Sequence, residues 1–414
     1  MHPKDLSIQD FTYELPNERI ALYPAHPRDS SKLLIYDSGH ISEDIYRHLE
    51  SHLPSDAVLV FNDTRVIKSR ILFPKSTGAI IEIFCLEPAN RYTDYEQLFR
   101  QSVYSVWKCM IGKAGKWKEK QLTKKIHIAH EEVMLNAELI EKQPDAYLVR
   151  FSWAPERFTL GEVLQAAGNT PLPPYIKRSA NAADEIDYQT VYSAHEGSVA
   201  APTAGLHFSN SMMEGLRLKG IPTLFTTLHV GAGTFKPVKS ETMEGHHMHA
   251  EWMHITTTFL EQLLTHTDKK IISVGTTATR TLESIFWMGN KLLNHPEISE
   301  AALKISQWEV YEKTKVHHPR NAITALLNRM KHNGETHLMI ETEIIIAPGY
   351  PFQIVKGLIT NFHQPKSTLL LLVAALAGDN WKKIYEYALS HNFRFLSYGD
   401  GSLILPQPPE AHSF

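Results

Sequence analysis

Residues 269–287 read KKIISVGTTATRTLESIFW. Ile271–Val274 has the composition of a strand buried on both faces; it stops at Gly275, and threonines able to cap exposed N–H groups open a helix directly after it. The same order recurs at AVLVFN over 57–62, closed by NDTR, and at LITNFHQPKSTLLLLVAALAG over 358–378, where Pro365 and Ser367 begin a helix that is apolar all round. Strand, polar loop and helix, repeated along the chain, predict an α/β layered main domain with its functional loops at the strand ends.

Between Val66 and Trp153 the texture changes. AIIEIFCLEP, SVWKCMIG, KKIHIAH and AYLVRFSW are short β-type runs separated by turns. They predict an inserted all-β barrel-like domain over 66–153, the α/β catalytic domain being made of 1–65 and 154–414. Within the insert, GKAGKWKEKQLTKK reads as a lysine-rich hairpin around Trp117, either a phosphate-tracking edge with a stacking ring or a solvated surface. A polar, His-rich segment from about 290 to 343 contains one amphipathic stretch, AITALLNRMKH.

The chain has 414 residues, 43% hydrophobic and 21% charged, with a formal net charge of -3. That charge excludes a generic polyanion binder, which would show a clear basic excess. Cys85 and Cys109 have neither CxxC spacing nor a ligand cluster, so two reduced thiols are expected. The opening MHPKDLSIQDFTYELP lacks the apolar run of a signal peptide. The longest apolar stretch, Leu369–Ala377, falls short of the roughly 20 residues that span a bilayer. A cytoplasmic, membrane-free protein is expected.

Neither a Walker-type GxxxxGK[ST], a complete GxGxxG nor a GxSxG is present. What remains is a set of polar loops. SVAAPTAGLHF (198–208) and LHVGAGTF (228–235) are bare of large side chains, let a ligand approach the backbone, and carry His207 and His229. In HHMHAEW, an extended backbone would put His247, His249 and Glu251 on one face, as metal ligands, as acid/base groups or as a polar strand edge. Thr276 and Thr277 begin a helix suited to an anion or a ribose, and Arg280 and Glu283 share a face of it.

PLPPYIKR (171–178), DYQTVYSAHEGSVAAPTAGLHF (187–208), TLHVGAGTFKPV (227–238), HHMHAEW (246–252), VGTTATRTLE (274–283), LITNFHQPKST (358–368) and FRFLSYGDG (393–401), with NDTRV (62–66) and DFTYELP (10–16), cover most of the chain. They resemble the S-adenosylmethionine:tRNA ribosyltransferase-isomerase family of queuosine biosynthesis. The resemblance implies an enzyme that moves the ribosyl part of S-adenosylmethionine onto the aminomethyl group of preQ1 at the tRNA wobble position. The products implied are epoxyqueuosine in tRNA, adenine and methionine. It further implies tRNA carrying preQ1 as partner and no metal or cofactor beyond S-adenosylmethionine as ribosyl donor; a monomer is expected.

Under that resemblance His207, His229, His247 and His249 form the acid/base pool, with no choice among them. Arg280 and Glu283 hold ribose or the methionine carboxylate end, and Asp63, Arg65, Tyr175 and Arg178 help to place preQ1 and the anticodon. Thr203, Gly205, Gly231, Gly233, Thr276, Thr277, His363 and Asp400 complete the expected substrate-binding surface. The competing readings are an RNA- or nucleoside-binding paralogue without turnover and a related S-adenosylmethionine-dependent enzyme with another RNA target.

Overall fold

Every residue of Ala57–Asn62 is buried, as a continuous apolar run demands, and this strand lies at the centre of the larger of two main sheets. The structure, a computed structural model, describes residues 2–75, 77–89, 95–231, 238 and 240–407. Along the chain run β1 (Lys32–Asp37), β2 (His40–Ile45), β3 (Ala57–Asn62) and β4 (Thr64–Val66). Then come β5 (Arg70–Pro74), β6 (Ile80–Pro88), β7 (Tyr104–Gly112), β8 (Gln121–Ile128), β9 (Glu131–Lys142), β10 (Tyr147–Ala154), β11 (Gly168–Asn169) and β12 (His195–Ser198). The last are β13 (Thr223–His229), β14 (Glu251–Thr256), β15 (Lys270–Val274), β16 (His337–Thr342), β17 (Gly357–Asn361) and β18 (Gly401–Leu405).

The larger sheet is mixed, in the order β16-β14-β13-β3-β15-β17-β18-β1-β2. Its centre, β13-β3-β15-β17, is parallel. The chain adds β13 on one side of β3 and β15 on the other, so the order reverses there, and a crevice opens beyond the carboxyl ends of the parallel strands. The second sheet is antiparallel, in the order β11-β5-β6-β7-β10-β9-β8, and curls until β8 returns alongside β5. It has its own apolar core, built from side chains such as Phe73, Trp107, Val149 and Phe151 and extending through the helix Leu160–Ala167. The fold is therefore mixed α/β with a large mixed sheet and a curled antiparallel one. Cys85 and Cys109 face each other on β6 and β7 as buried free thiols.

Two expectations need correction. Residues 113–120 are not a hairpin turn: among the described residues β7 pairs with β6 and β10, β8 pairs with β9 alone, and the lysine-rich stretch is the crossover between them. Its Trp117 packs into the core of the second sheet instead of standing out as a stacking ring, because an indole buries more apolar area there than a crossover can leave exposed. The HHMHAEW stretch is not one strand either. β14 begins only at Glu251, which is buried, while His247 and His249 are exposed ahead of it.

The polar 290–343 segment is integrated into the main core. AITALLNRMKH lies in the helix Pro319–His332, which buries Ala322, Ile323, Leu326, Leu327 and Met330. It packs against the helix Thr276–Asn294 so closely that a Cβ on Gly289 would come within 1.9 Å of the Ala322 carbonyl oxygen. The end of the segment supplies edge strand β16.

Candidate active site

β15 ends at Gly275, whose φ of +90° is strained for any residue with a side chain. Its N–H donates to the Ile359 carbonyl on β17 (2.8 Å), tying together two adjacent strand ends. The helix Thr276–Asn294 starts at once, and no side chain caps it. Its first-turn N–H groups and the positive end of its dipole are therefore presented at the strand ends. The Thr277 hydroxyl beside them is buried and has no hydrogen-bond partner.

This helix start is one wall of a cleft of about 720 Å³. The small residues Ala200–Ala204 form another wall, and Tyr175 and Ser397 close the side, joined through their hydroxyls at 2.5 Å. β17 delivers Asn361 and, just beyond it, His363. The His363 backbone is clamped on both sides, since its N–H donates to the Tyr385 hydroxyl (3.0 Å) and its carbonyl accepts from the Tyr13 hydroxyl. Nε2 meets the Thr360 hydroxyl at 2.8 Å. Burial pulls the imidazole down to about 3, so it is neutral near pH 7.

His207 lies behind the cleft, not in it. The Ser31 hydroxyl donates to the Arg28 carbonyl (3.1 Å), so Ser31 accepts from His207 Nδ1–H (3.0 Å), and His207 Nε2 is left to accept from the Asn361 amide (3.0 Å). The ring stacks on Tyr46 at 4.2 Å, and burial lowers it to about 3. Both nitrogens are thus engaged within the protein, one by Ser31 and the other by Asn361. Asn361 Nδ2 thus points back to His207, and its buried Oδ1 has no partner.

A side cavity of about 590 Å³ adjoins the cleft, with Leu369 lining both. His249, Glu251 and Arg280 meet there. Arg280 forms a buried ion pair with Glu251, and burial lowers its guanidinium to about 10.

A third cavity, of about 1350 Å³, opens toward the curled sheet and collects His195, His229, His254 and His337. His229 bonds the Thr64 hydroxyl through Nδ1 (3.0 Å) and packs 4.4 Å from the Tyr95 ring. Burial, reinforced by His254 and His195, pulls it down to about 3. Gly197 makes room for it, since a Cβ there would fall 2.6 Å from His229 Nδ1. Asp63 lies near His195 (3.9 Å) and accepts from the Thr227 hydroxyl (2.7 Å); burial raises its carboxyl.

The expected site residues thus divide. Tyr175, Thr203, Thr276, Thr277 and His363 line the cleft, His249 and Arg280 the side cavity, and His229 the third cavity. His247 and Arg65 are exposed at other points, Arg65 facing Glu196 at 3.9 Å. Gly231 is half-buried, and Gly233 lies outside the described residues.

Others are committed to the scaffold. The Glu283 carboxylate accepts from the Tyr350 hydroxyl and the N–H groups of Gln353, Ile354 and Val355, at 2.8–3.0 Å, which uses all its lone-pair directions. It holds the 353–355 loop and lines none of the three cavities described above. Arg178 is bidentate to Asp184 (2.7 Å for both bonds) and covers Tyr23, while Asp400 accepts from Lys32 N–H and from Arg394. Gly205 is small because Tyr192 stands where its Cβ would be, 1.9 Å from the hydroxyl.

Asn361 and Ser397 lie within the quoted motifs without being singled out as site residues. A polar residue closing an apolar strand, as in LITN, is the signal that points to Asn361. The gathering of His195, His254 and His337 had no local signal, since only the sheet topology unites positions so distant.

Comparison with known proteins gives the family. Residues 8–404 match the family described as queuosine biosynthesis protein. The S-adenosylmethionine:tRNA ribosyltransferase-isomerase of Desulfitobacterium hafniense is 37% identical over 406 residues, covering 97% of this chain and 100% of that protein. Its namesake from Chlorobium luteolum is 36% identical over 97% of this chain and 100% of its own length, and that from Magnetococcus marinus 33% identical over 97% and 95%. A crystal structure of an S-adenosylmethionine tRNA ribosyltransferase from Thermotoga maritima is 25% identical, covers 96% of this chain and 100% of that one, and has a TM-score of 0.45. With relatives of this identity matching along nearly its whole length, the chain belongs to the queuosine biosynthesis protein family.

Proposed function

We propose that this protein is an S-adenosylmethionine:tRNA ribosyltransferase-isomerase, and that the cleft at Gly275–Thr277, Asn361 and His363 receives the nucleoside part of S-adenosylmethionine. The observation that carries the reading is the pairing, on one cleft, of an uncapped helix start with two buried polar atoms lacking partners, Thr277 Oγ1 and Asn361 Oδ1. A buried polar group without a partner costs about 1–3 kcal/mol, so such a pair in one place is accounted for by a ligand that satisfies it. An adenine exocyclic amine donates to Asn361 Oδ1, and ribose hydroxyls suit Thr277 and the helix N–H groups.

The reaction transfers the five-carbon ribosyl unit to the preQ1 amine. The C5′–S bond to methionine and the C1′–N9 bond to adenine break, and one proton is released overall. The sulfonium makes the neighbouring C5′–H more acidic, and a base must stand beside it. Among the described residues His363 is the imidazole that lines the cleft, and it is the group assigned to accept that proton. His207 is a positioning residue acting through Asn361.

The preQ1-bearing tRNA is the second substrate, which sets the work in the cytoplasm. No step calls for a metal or a second cofactor, and since one chain carries cleft and side cavity, one copy suffices. The accompanying architecture is a layered α/β unit of 1–65 and 154–414 with a barrel-like insert over 66–153, the insert's edge reaching about residue 169 through the pairing of β11 with β5. Incubation with S-adenosylmethionine and a preQ1-containing anticodon stem-loop, read by nucleoside mass spectrometry, tests the proposal. Epoxyqueuosine with adenine release is expected; binding of both substrates without product refutes it.

A further inference from the structure

The helix Thr276–Asn294 borders two cavities within about one turn of one face. Thr276 lines the nucleoside cleft, and Arg280, four residues and about 6 Å further along the axis, lines the side cavity. Leu369 borders both, so the two cavities are neighbours across one side chain.

Arg280 is 7% exposed. Its Nε donates to the Ile344 carbonyl (3.2 Å) and its Nη1 to Glu251, but the buried Nη2 has no hydrogen-bond partner. A planar guanidinium is normally satisfied at all its donors when buried, and leaving one empty is costlier for a charged group than for a neutral one. The guanidinium that borders this cavity therefore has one donor unused by the protein, which a ligand bringing an acceptor would satisfy.

The charge balance defines that ligand further. Arg280 and Glu251 present opposite charges to the cavity, so a bare anion would face the Glu251 carboxylate, and an alkyl chain would leave Nη2 unpaired. A group carrying both signs at once satisfies both partners: a carboxylate on Arg280 and an ammonium on Glu251. Beside His246, His249 and Thr368, the lining includes the apolar Met248, Ile345, Ile346 and Leu372, which suit an unbranched thioether chain. We infer that the Arg280–Glu251 pair binds the α-amino-acid zwitterion of S-adenosylmethionine, and afterwards that of the methionine product. This inference rests on the proposed function, which seats the nucleoside in the neighbouring cleft. It replaces the Arg280–Glu283 pairing expected from the sequence by Arg280–Glu251.

The test compares S-adenosylmethionine with decarboxylated S-adenosylmethionine, and L-methionine with methioninol, by isothermal titration calorimetry on the full chain. Loss of a charge-assisted hydrogen bond is worth roughly a ten- to hundredfold change in affinity, so the wild type should bind each decapitated analogue weaker by that factor. Arg280→Met should bind both members of each pair alike, with adenosine affinity unchanged as the control for an intact cleft. Should Arg280→Met fail to fold, the wild-type comparison decides alone. Equal wild-type affinity for S-adenosylmethionine and its decarboxylated form, with adenine still released from the former, overturns this inference and leaves the function standing. Failure to bind or turn over S-adenosylmethionine overturns both.

Discussion

Lowering the pH from 7 to 5 should destabilise this protein through three imidazoles that are buried neutral. His207, His229 and His363 each have a folded pKa of about 3. In the unfolded chain each returns to about 6.5. Between those values the unfolded state binds the proton and the folded state does not, so stability is full above about pH 6.5 and is lost as the pH falls toward 3. Linkage gives about 2 kcal/mol per histidine between pH 7 and pH 5, and about 6 kcal/mol for the three, a large part of the roughly 5–15 kcal/mol typical of a domain. His207→Gln separates one share from the rest. At pH 7 it loses the stacking on Tyr46 and some of the Ser31 and Asn361 bonding, a cost of about 2 kcal/mol. At pH 5 the wild type bears its proton penalty and the variant does not, so the gap should nearly vanish. Urea unfolding at pH 7, 6 and 5 measures it. If the two proteins lose stability in parallel over that range, His207 is not the neutral buried group described here.

Four further outcomes follow from the same geometry. His363→Ala should slow single-turnover adenine release by about 100-fold or more, with S-adenosylmethionine affinity within a few-fold of wild type by titration. Thr277→Val keeps the shape and removes the unpartnered hydroxyl; its thermal midpoint should hold while S-adenosylmethionine affinity, read by calorimetry, drops about tenfold. Glu283→Gln presents an amide donor to backbone donors that need an acceptor and should cost about 3 kcal/mol in denaturant unfolding. Gly289→Ala drives a methyl into the Ala322 carbonyl and should cost about 3 kcal/mol by the same assay.

Most of what was legible in the sequence was local. The strand–loop–helix order at 269–287, the buried helix after Ser367 and the β runs of the insert depend on periodicity and caps acting over a few residues. The lysine-rich stretch misled because a basic turn between two strands reads the same whether those strands pair with each other or with others. The surroundings of the histidines were illegible for a related reason. Residue type names a possible proton carrier, whereas its role depends on which neighbours occupy its two nitrogens.

The sequence by itself determined the element types, the polar loops at strand ends, and, through long specific motifs, the family. Tertiary structure alone decided that Glu283 and Asp400 hold loops, that His207 supports Asn361 while His363 lines the cleft, and that Arg280 faces Glu251 across a cavity. The physical reason is that a polar side chain acts through what surrounds it. Burial and hydrogen-bond saturation arise from residues hundreds of positions apart, and those contacts exist only once the sheet order has brought them together.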